Sequence, residues 1–573
     1  MNIIIDSIKD RTYDAIVVGS GISGGYAAKE LTELGLNTLV LERGREIKHV
    51  EGYETAMKDS WMFEHRGRVT TMAAEEYWSA MRTGYTANED HRYLFESEKD
   101  SPYIEKRPFD WTRAYHTGGK SLLWGRQTYR WNKEDFMANL KDGHGVDWPI
   151  RYEDIAPWYA KVEKYIGVSG TAEGLAVLPD SNFLPAMPFT APEKHFKNAM
   201  KAKMGRPITV GRVAHLTKPG AHHTAIGRGA CQYRNKCMRG CPYGGYYSSL
   251  AGGLASAAKT NRMSLIHNAI VAEVLYDEKS KKAKGVRVID QNTMESKEYF
   301  AKIIFLNAGA IQSTSILMNS KSDRFPNGMG NDSDQLGRNI MDHHLGVGAS
   351  ASLLEGFDDD YYFGARPNGM YVPRFRNWGN NKAKDYVRGF GYQGGASRGG
   401  WGRGTGMNGF GAAFKEDLTK PGPWSFGFGG FGEILPNENN RFTLSDTKKD
   451  KWGLPLVVFD ADLGENEHNM RKDMANDMAE MLEAAGFKNI NAYNGANKNI
   501  GLGIHEMGTA RMGRDKKTSV LNKYNQIHEV KNVFVTDGAA MTSASCVNPS
   551  LTYMALTARA ASFAVGELKK MNL

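Results

Sequence analysis

The apolar run Tyr13–Val18 stands out from a mixed, charged N-terminus and leads directly into Gly19-Ser20-Gly21-Ile22-Ser23-Gly24. A short run of this kind, bounded by glycine, predicts a buried strand. Residues 26–34 follow with helical spacing and stop at Gly35. A second apolar run, Asn37–Leu41, then ends in Glu42-Arg43-Gly44. Strand, glycine turn, helix, strand and terminal acid together predict a βαβ unit that binds a dinucleotide. The glycines let the backbone turn tightly and approach a pyrophosphate, the helix N-terminus offers it free amides, and Glu42 can accept hydrogen bonds from ribose hydroxyls. The predicted contacts are Gly19, Gly21, Ser23, Gly24, Glu42 and Arg43.

Near the other end, Lys531–Thr536 predicts another strand, ending in Asp537-Gly538, and a long helical pattern begins near Asn548. The glycine motif does not distinguish NAD from FAD. A strand brought back from the C-terminus to the nucleotide suits an extended FAD, and adds Asp537 and Gly538 to the expected contacts. Between Arg388 and Gly411, eleven glycines interleave with Phe390, Tyr392, Trp401 and Phe410. Taken alone, this stretch reads either as a flexible, low-complexity loop or as a strand-and-loop wall with aromatic faces. The aromatic stretch Trp78–Trp111 either covers the FAD or fills core.

Composition narrows the class. With 41% hydrophobic and 24% charged residues, the 573-residue chain reads as globular and long enough for two intertwined domains. No run of eighteen apolar residues is present, so no direct membrane insertion is expected. The net charge of +9, from 73 bases and 64 acids, is spread along the chain. A nucleic-acid binder would concentrate it, so that partner is excluded. Residues 1–11 lack the pattern of an export signal, which on its own predicts a cytoplasmic protein.

Three of the four cysteines, Cys231, Cys237 and Cys241, fall within eleven residues, and the last is followed by Pro242. This spacing looks like metal ligation rather than a disulfide framework. An iron–sulfur cluster, a zinc site completed by His222 or His223, a Cys237–Cys241 disulfide and plain thiols all remain open. Cys546 reads as a small buried filler.

Further segments carry a family resemblance: His116-Thr-Gly-Gly-Lys-Ser-Leu-Leu-Trp-Gly125, Leu306-Asn-Ala-Gly-Ala-Ile-Gln-Ser313, Asn440-Arg-Phe-Thr-Leu444, His505-Glu-Met-Gly-Thr509 and Asn548-Pro-Ser-Leu-Thr552. With the N-terminal fingerprint, they make the chain resemble the glucose-methanol-choline (GMC) oxidoreductases over nearly its whole length. Within that family it looks most similar to the large subunits of bacterial gluconate, fructose, glucose and glucoside 3-dehydrogenases.

The resemblance implies an α/β fold in which a Rossmann-like FAD-binding domain (1–130, 225–345 and 500–573) is interleaved with an α+β substrate-binding domain (131–224 and 346–499). It adds Gly119, Ser121, Trp124, Ala272, Ala308, Gly309, Pro549 and Ser550 to the expected FAD contacts. His505 matches the family's catalytic base, and an imidazole suits that role at neutral pH. Asn548 matches the second active-site position, whose amide can donate to the alcohol oxygen. Leu123 stands where some members tether FAD through histidine, and His116 lies too early to replace it, which implies non-covalent FAD. His343 and His344 are read as structural.

The implied activity is oxidation of a secondary hydroxyl of a sugar or glycoside, with glucoside 3-dehydrogenase the narrowest expectation. Electrons would leave through a three-iron, four-sulfur cluster on Cys231, Cys237 and Cys241. The subgroup further implies a small Tat-exported subunit, a cytochrome c acceptor and, through them, a periplasmic location. A gluconate 2-dehydrogenase-like enzyme, an oxygen-using pyranose oxidase-like enzyme and a non-catalytic flavin electron-transfer subunit are the alternatives.

Overall fold

The computed structural model describes residues 12–83, 88–357, 366–367, 369–383, 385–495 and 499–573. The first eleven residues of the expected FAD-binding segment and part of the Trp78–Trp111 stretch lie outside them.

The nucleotide half is built on one sheet: β1 (Thr12–Val18), β2 (Thr38–Leu41), β3 (Met263–Ile266), β4 (Ala269–Asp277), β5 (Lys282–Asp290) and β6 (Ser296–Leu306). The order is β3-β2-β1-β6-β5-β4, parallel from β3 to β6 and antiparallel through the last two. The runs Ala15–Val18 of β1, Leu39–Leu41 of β2 and the end of β6 are continuously apolar because both faces are covered. Ile16, Val18, Leu39, Leu41 and Ile304 face one core cluster, whereas Ala15, Val17, Val40, Ile303 and Phe305 face the other. Helix α1 (Ile22–Glu33) starts from the turn after β1.

The second half is an antiparallel sheet of β7 (Val347–Leu354), β8 (Met370–Val372), β9 (Phe390–Arg398), β10 (Trp424–Gly432) and β11 (Ile490–Asn494), with Thr209–Val210 at one edge. Alternation now holds. Phe390, Tyr392, Trp424, Phe426 and Phe428 pack in a core with Phe196 and Met200 of α3 (Ala191–Met204) and with Met470, Met474 and Met478 of α5 (Glu465–Ala484). The other face is glycine-rich and turns toward the nucleotide half. There Gln393 stands opposite Gly429 and Phe431 opposite Gly391. The chain then returns to the first sheet: β12 (Val533–Val535) pairs with the end of β6, and α6 (Ser550–Lys569) packs on α1.

One expected boundary moves. Residues 131–224 do not form one block of the second half. Trp131, Trp148 and helix α2 (Tyr152–Ile166) share the core of the nucleotide sheet, and α2 packs against α6, with the Tyr159 hydroxyl 2.8 Å from Thr552 Oγ1. Only α3 and Thr209–Val210 join the antiparallel sheet. Trp131, Trp148 and Tyr159 are fully buried in that core. Among the described residues, no helix is long and apolar enough to cross a membrane.

Candidate active site

A cavity of about 480 Å³ runs from the end of β2 to the start of α6. Its floor is the turn after β1. Gly19 has φ +91°, and an added Cβ would lie 2.4 Å from the Asn307 carbonyl, so only glycine fits. Gly21 is open to the cavity, and Gly119 approaches it backbone to backbone, since a Cβ on Gly119 would be 3.5 Å from Gly21 Cα. The Ser20 hydroxyl joins the two loops, accepting from the Gly118 amide at 2.9 Å while donating to Glu42. Glu42 also accepts from the amides of Ser20 (3.0 Å) and Gly44 (2.9 Å). Burial raises its pKa against those hydrogen bonds. Two carboxylate oxygens offer about four acceptor positions, so Glu42 can hold its own turn and still receive a ribose.

Ser23, Arg43, Ser121, Trp124, Ala308, Gly309, Asp537, Gly538 and Ser550 line the same cavity. Arg43 stacks its guanidinium between Tyr115 and Trp452. Asp537 ties the start of α4 (Ala310–Asn319) to the C-terminal strand, accepting from the Gly309 amide at 2.9 Å and the Ser313 hydroxyl at 2.6 Å, and burial lifts its pKa to about 6.

Three expected contacts do not line it. Gly24 lies against Gly19, where a Cβ would be 2.0 Å from its carbonyl oxygen, so it serves the packing of α1 on the turn. Ala272 points into a small cluster with Ile270, Ile289 and Trp452, and the wall comes from Ala269, Ile270 and Val271 instead. Pro549 caps α6 from behind. Leu123 lines the cavity and has no group that could form a bond to it. His116 is buried with its ring nitrogens against the carbonyls of Thr117 and Leu94 at 3.0 and 3.2 Å.

His505 and Asn548 both line this cavity. Burial, with His343 and Lys120 nearby, pushes the His505 pKa well below its ordinary value, so the ring is neutral. Asn548 is oriented by Gln393, whose Nε2 donates to Asn548 Oδ1 at 2.5 Å and leaves the Asn548 Nδ2 amide free for a ligand. Phe431 closes the site from the antiparallel sheet, its ring centroid 6.4 Å from that of His505. Lys120 pairs with Glu506 at 2.9 Å on the cavity rim. Sequence reasoning missed Gln393, Phe431 and the Lys120–Glu506 pair, and it assigned His343 a structural place although that ring touches His505. Of the expected aromatic wall, Phe390 and Tyr392 are core, whereas Trp401 and Phe410 are 60% and 93% exposed. From the Trp78–Trp111 stretch, Phe95 and Trp111 reach the cavity.

Among the described residues the three loop cysteines form no disulfide, so the Cys237–Cys241 bridge is absent. Cys237 Sγ lies 3.8 Å from His215 Nε2, and the Gly245 amide donates to Cys241 Sγ at 3.3 Å. Among the described residues, no three His, Cys, Asp or Glu side chains are grouped to hold a single metal ion. Of the two histidines expected to complete a zinc site, His222 is held at the Lys164 carbonyl and His223 accepts at Nδ1 from the Gly220 amide. Cys546 is buried in the core, as expected of a filler.

The fit to a bound dinucleotide is direct. Asn307 Nδ2 and the Tyr553 hydroxyl line the cavity, buried and without a protein partner, and the N-terminus of α6 faces it at Ser550. A dinucleotide cradle that shares its cavity with a neutral histidine and an oriented amide defines a flavin-dependent oxidoreductase.

Comparison with known proteins gives the family. GMC oxidoreductase models match residues 218–345 and 436–557. Fructose dehydrogenase large subunit from Gluconobacter japonicus is 27% identical over 97% of this chain and 98% of its own. A 2-methyl-1,2-propanediol dehydrogenase from Mycolicibacterium austroafricanum is 28% identical over 97% and 95%. A variant of Aspergillus oryzae formate oxidase shares the fold, with a TM-score of 0.60 at 13% identity over 98% and 99%. The chain belongs to the GMC oxidoreductases.

Proposed function

We propose that the chain is a dehydrogenase that oxidises a secondary hydroxyl of a sugar or glycoside, holding FAD by contacts alone. The observation that carries the reading is that His505 and Asn548 line the same cavity as the glycine turn after β1. His505, neutral in its buried setting, takes the hydroxyl proton, and the Asn548 amide donates to the oxygen as negative charge develops there. Bound FAD supplies the acceptor for the hydride. Gly19, Gly21, Gly119 and Glu42 would hold its dinucleotide, and Asp537, Ser550 and Tyr553 the end nearest His505. Glucoside 3-dehydrogenase remains the narrowest form of the proposal. In its support, the Gluconobacter relative is named for a sugar.

An iron–sulfur cluster on Cys231, Cys237 and Cys241 completes the proposal; burial alone raises the thiols of Cys231 and Cys237, so the cluster needs a compensating charge nearby. Arg126 lines the flavin cavity, is 6% exposed, keeps a buried Nε without a partner, and contacts Met238 Sδ of the cysteine loop at 3.8 Å. A cation and an N–H···S contact at that loop suit thiolates carrying negative charge. The cluster would supply a one-electron exit. The relative's designation as a large subunit supports a partner subunit; a cytochrome c acceptor and a periplasmic location are part of the same proposal.

The test is anaerobic flavin reduction by D-fructose, D-glucose, gluconate and methyl β-D-glucopyranoside, with product regiochemistry by NMR. His505→Ala is expected to retain FAD and lose roughly 10²–10⁴-fold in reduction rate; undiminished reduction overturns the assignment. Iron and sulfide analysis of enzyme isolated anaerobically decides the cluster.

A further inference from the structure

His505 leans on a second imidazole. His343 is 2% exposed; its Nε2 lies 3.0 Å from the Ser545 carbonyl oxygen, and its Nδ1 lies 2.9 Å from Nδ1 of His505. The two rings stand nearly perpendicular, at 85°, with centroids 5.0 Å apart. A carbonyl oxygen can only accept, so the proton of His343 sits on Nε2. Burial keeps this ring neutral, with its pKa drawn down to about 4, and a neutral imidazole carries one N–H. Nδ1 of His343 is therefore a lone pair. The proton in the 2.9 Å contact must come from His505 Nδ1, and a neutral His505 is then left with a bare Nε2. The opposite tautomer would set two lone pairs face to face.

The backbone holds this arrangement at both ends. Ile504, just before His505, has φ +57°, and Ser545, which supplies the carbonyl, has φ +56°. Left-handed backbone is uncommon at such residues and persists where the surroundings enforce it. The enforcing group is Asp342, the neighbour of His343. Its fully buried carboxylate accepts from the amides of Gly501 (2.8 Å), Gly503 (2.9 Å) and His505 (2.9 Å). One dipeptide, Asp342-His343, thus clamps both the loop and the ring of His505.

We propose that His343 is a positioning residue that, through the Ser545 carbonyl, imposes on His505 the tautomer whose bare Nε2 can take a proton in the cavity. This rests on the reading of His505 as the base. In the reaction, the alcohol proton moves to Nε2 and His505 becomes an imidazolium. Its Nδ1 proton stays hydrogen-bonded to His343, and bound oxidised FAD would accept the hydride that leaves the carbon. His343 never touches substrate.

The experiment compares His343→Ala, His343→Gln and His505→Ala in the FAD-loaded enzyme. Glutamine can donate to Ser545 from its amide nitrogen and accept from His505 at its oxygen, so it preserves the relay without an imidazole. The first readout is anaerobic flavin bleaching by whichever sugar of the screen reduces the wild type fastest. His343→Ala is expected to slow it roughly 10–100-fold with FAD content and KM unchanged, and His343→Gln to recover most of that loss. The second readout needs no substrate: 15N-histidine spectra, with the His505 signals assigned by their loss in His505→Ala. They are expected to show an Nδ1–H tautomer in the wild type and in His343→Gln, and a mixed or Nε2–H ring in His343→Ala. A His343→Ala enzyme with wild-type rate and tautomer, or a glutamine variant no better than alanine, overturns the relay. Wild-type rate in His505→Ala overturns instead the base assignment on which it rests.

Discussion

Gln393 shows how much a single amide can decide. Its Nε2 donates to Asn548 Oδ1, and this fixes which end of Asn548 faces the cavity. Removing the donor frees the Asn548 amide to rotate; replacing it with a carboxylate reverses the demand, because an ionised Glu accepts only. Gln393→Glu is therefore expected to turn the Asn548 amide toward itself and present Oδ1, the wrong pole, to an oxygen gaining negative charge. Gln393→Ala should slow flavin reduction by a factor of about 3–10, in line with roughly 0.5–1.5 kcal/mol for one hydrogen bond. Gln393→Glu should be slower still, although it keeps the side-chain length. Stopped-flow reduction of both variants checks the order; a glutamate variant faster than the alanine one removes Gln393 from this role. The sequence offers little to flag such a residue. Gln393 lies in a glycine-rich stretch whose aromatics looked like the functional part, yet period-two alternation sends Phe390 and Tyr392 to the core and Gln393 to the cavity.

At the scale of elements, the two halves are joined by a buried ion network around Arg388, which precedes β9. Its NH1 meets Glu433 at 2.6 Å and its NH2 meets Asn139 at 2.8 Å, while Asp142 pairs at Nε. The side chains of Arg388 and Glu433 are each 2% exposed. A buried pair adds little net stability over an apolar one, but removing one partner leaves the other charge stranded. Arg388→Met is therefore expected to cost about 3–5 kcal/mol in thermal or denaturant unfolding, and Arg388→Met combined with Glu433→Leu to recover most of it. Equal losses in the single and double variants would show that the network acts through Asp142 instead. This scale also separates what was legible from what was not. The βαβ opening, the C-terminal strand and the final helix follow from local runs, because the buried runs of these parallel strands are continuously apolar. The path of residues 131–178 was not legible, since apolar residues in α2 suit either sheet and only their packing against α6 decides. His343 escaped for a related reason: its partners, His505 and the Ser545 carbonyl, are 162 and 202 residues away in the chain.

For the whole molecule, burial of titratable groups sets how stability responds to acid. Histidines 116, 215, 223, 343 and 344 are each no more than 2% exposed, and burial lowers the pKa of every one, to about 4 for His116, His223 and His343 and well below the ordinary value for His215 and His344. Each is neutral when folded but takes a proton in the unfolded chain below about 6.5. Between that pH and about 4 the unfolded state binds the extra protons, so these groups make stability fall as pH falls. Buried acids act the other way, and burial raises Glu42, Glu98 and Asp477 among them. Burial lifts Asp135 and Asp537 to about 6 and, with Glu506 adding repulsion, Asp342 to about 7. They hold protons in the folded state that the unfolded chain releases above about 4, so they make stability rise over much of the same window. Burial lowers His49, His267, His505 and His528 as well, so among the described residues the lowered histidines outnumber the raised acids nine to six, and unfolding takes up protons on balance as pH falls below about 6.5. Denaturant midpoints measured from pH 7 to pH 4.5 should therefore fall steadily, and His343→Gln should make that fall shallower by the share of one histidine. A midpoint that holds level or rises across the window would show that the acids dominate.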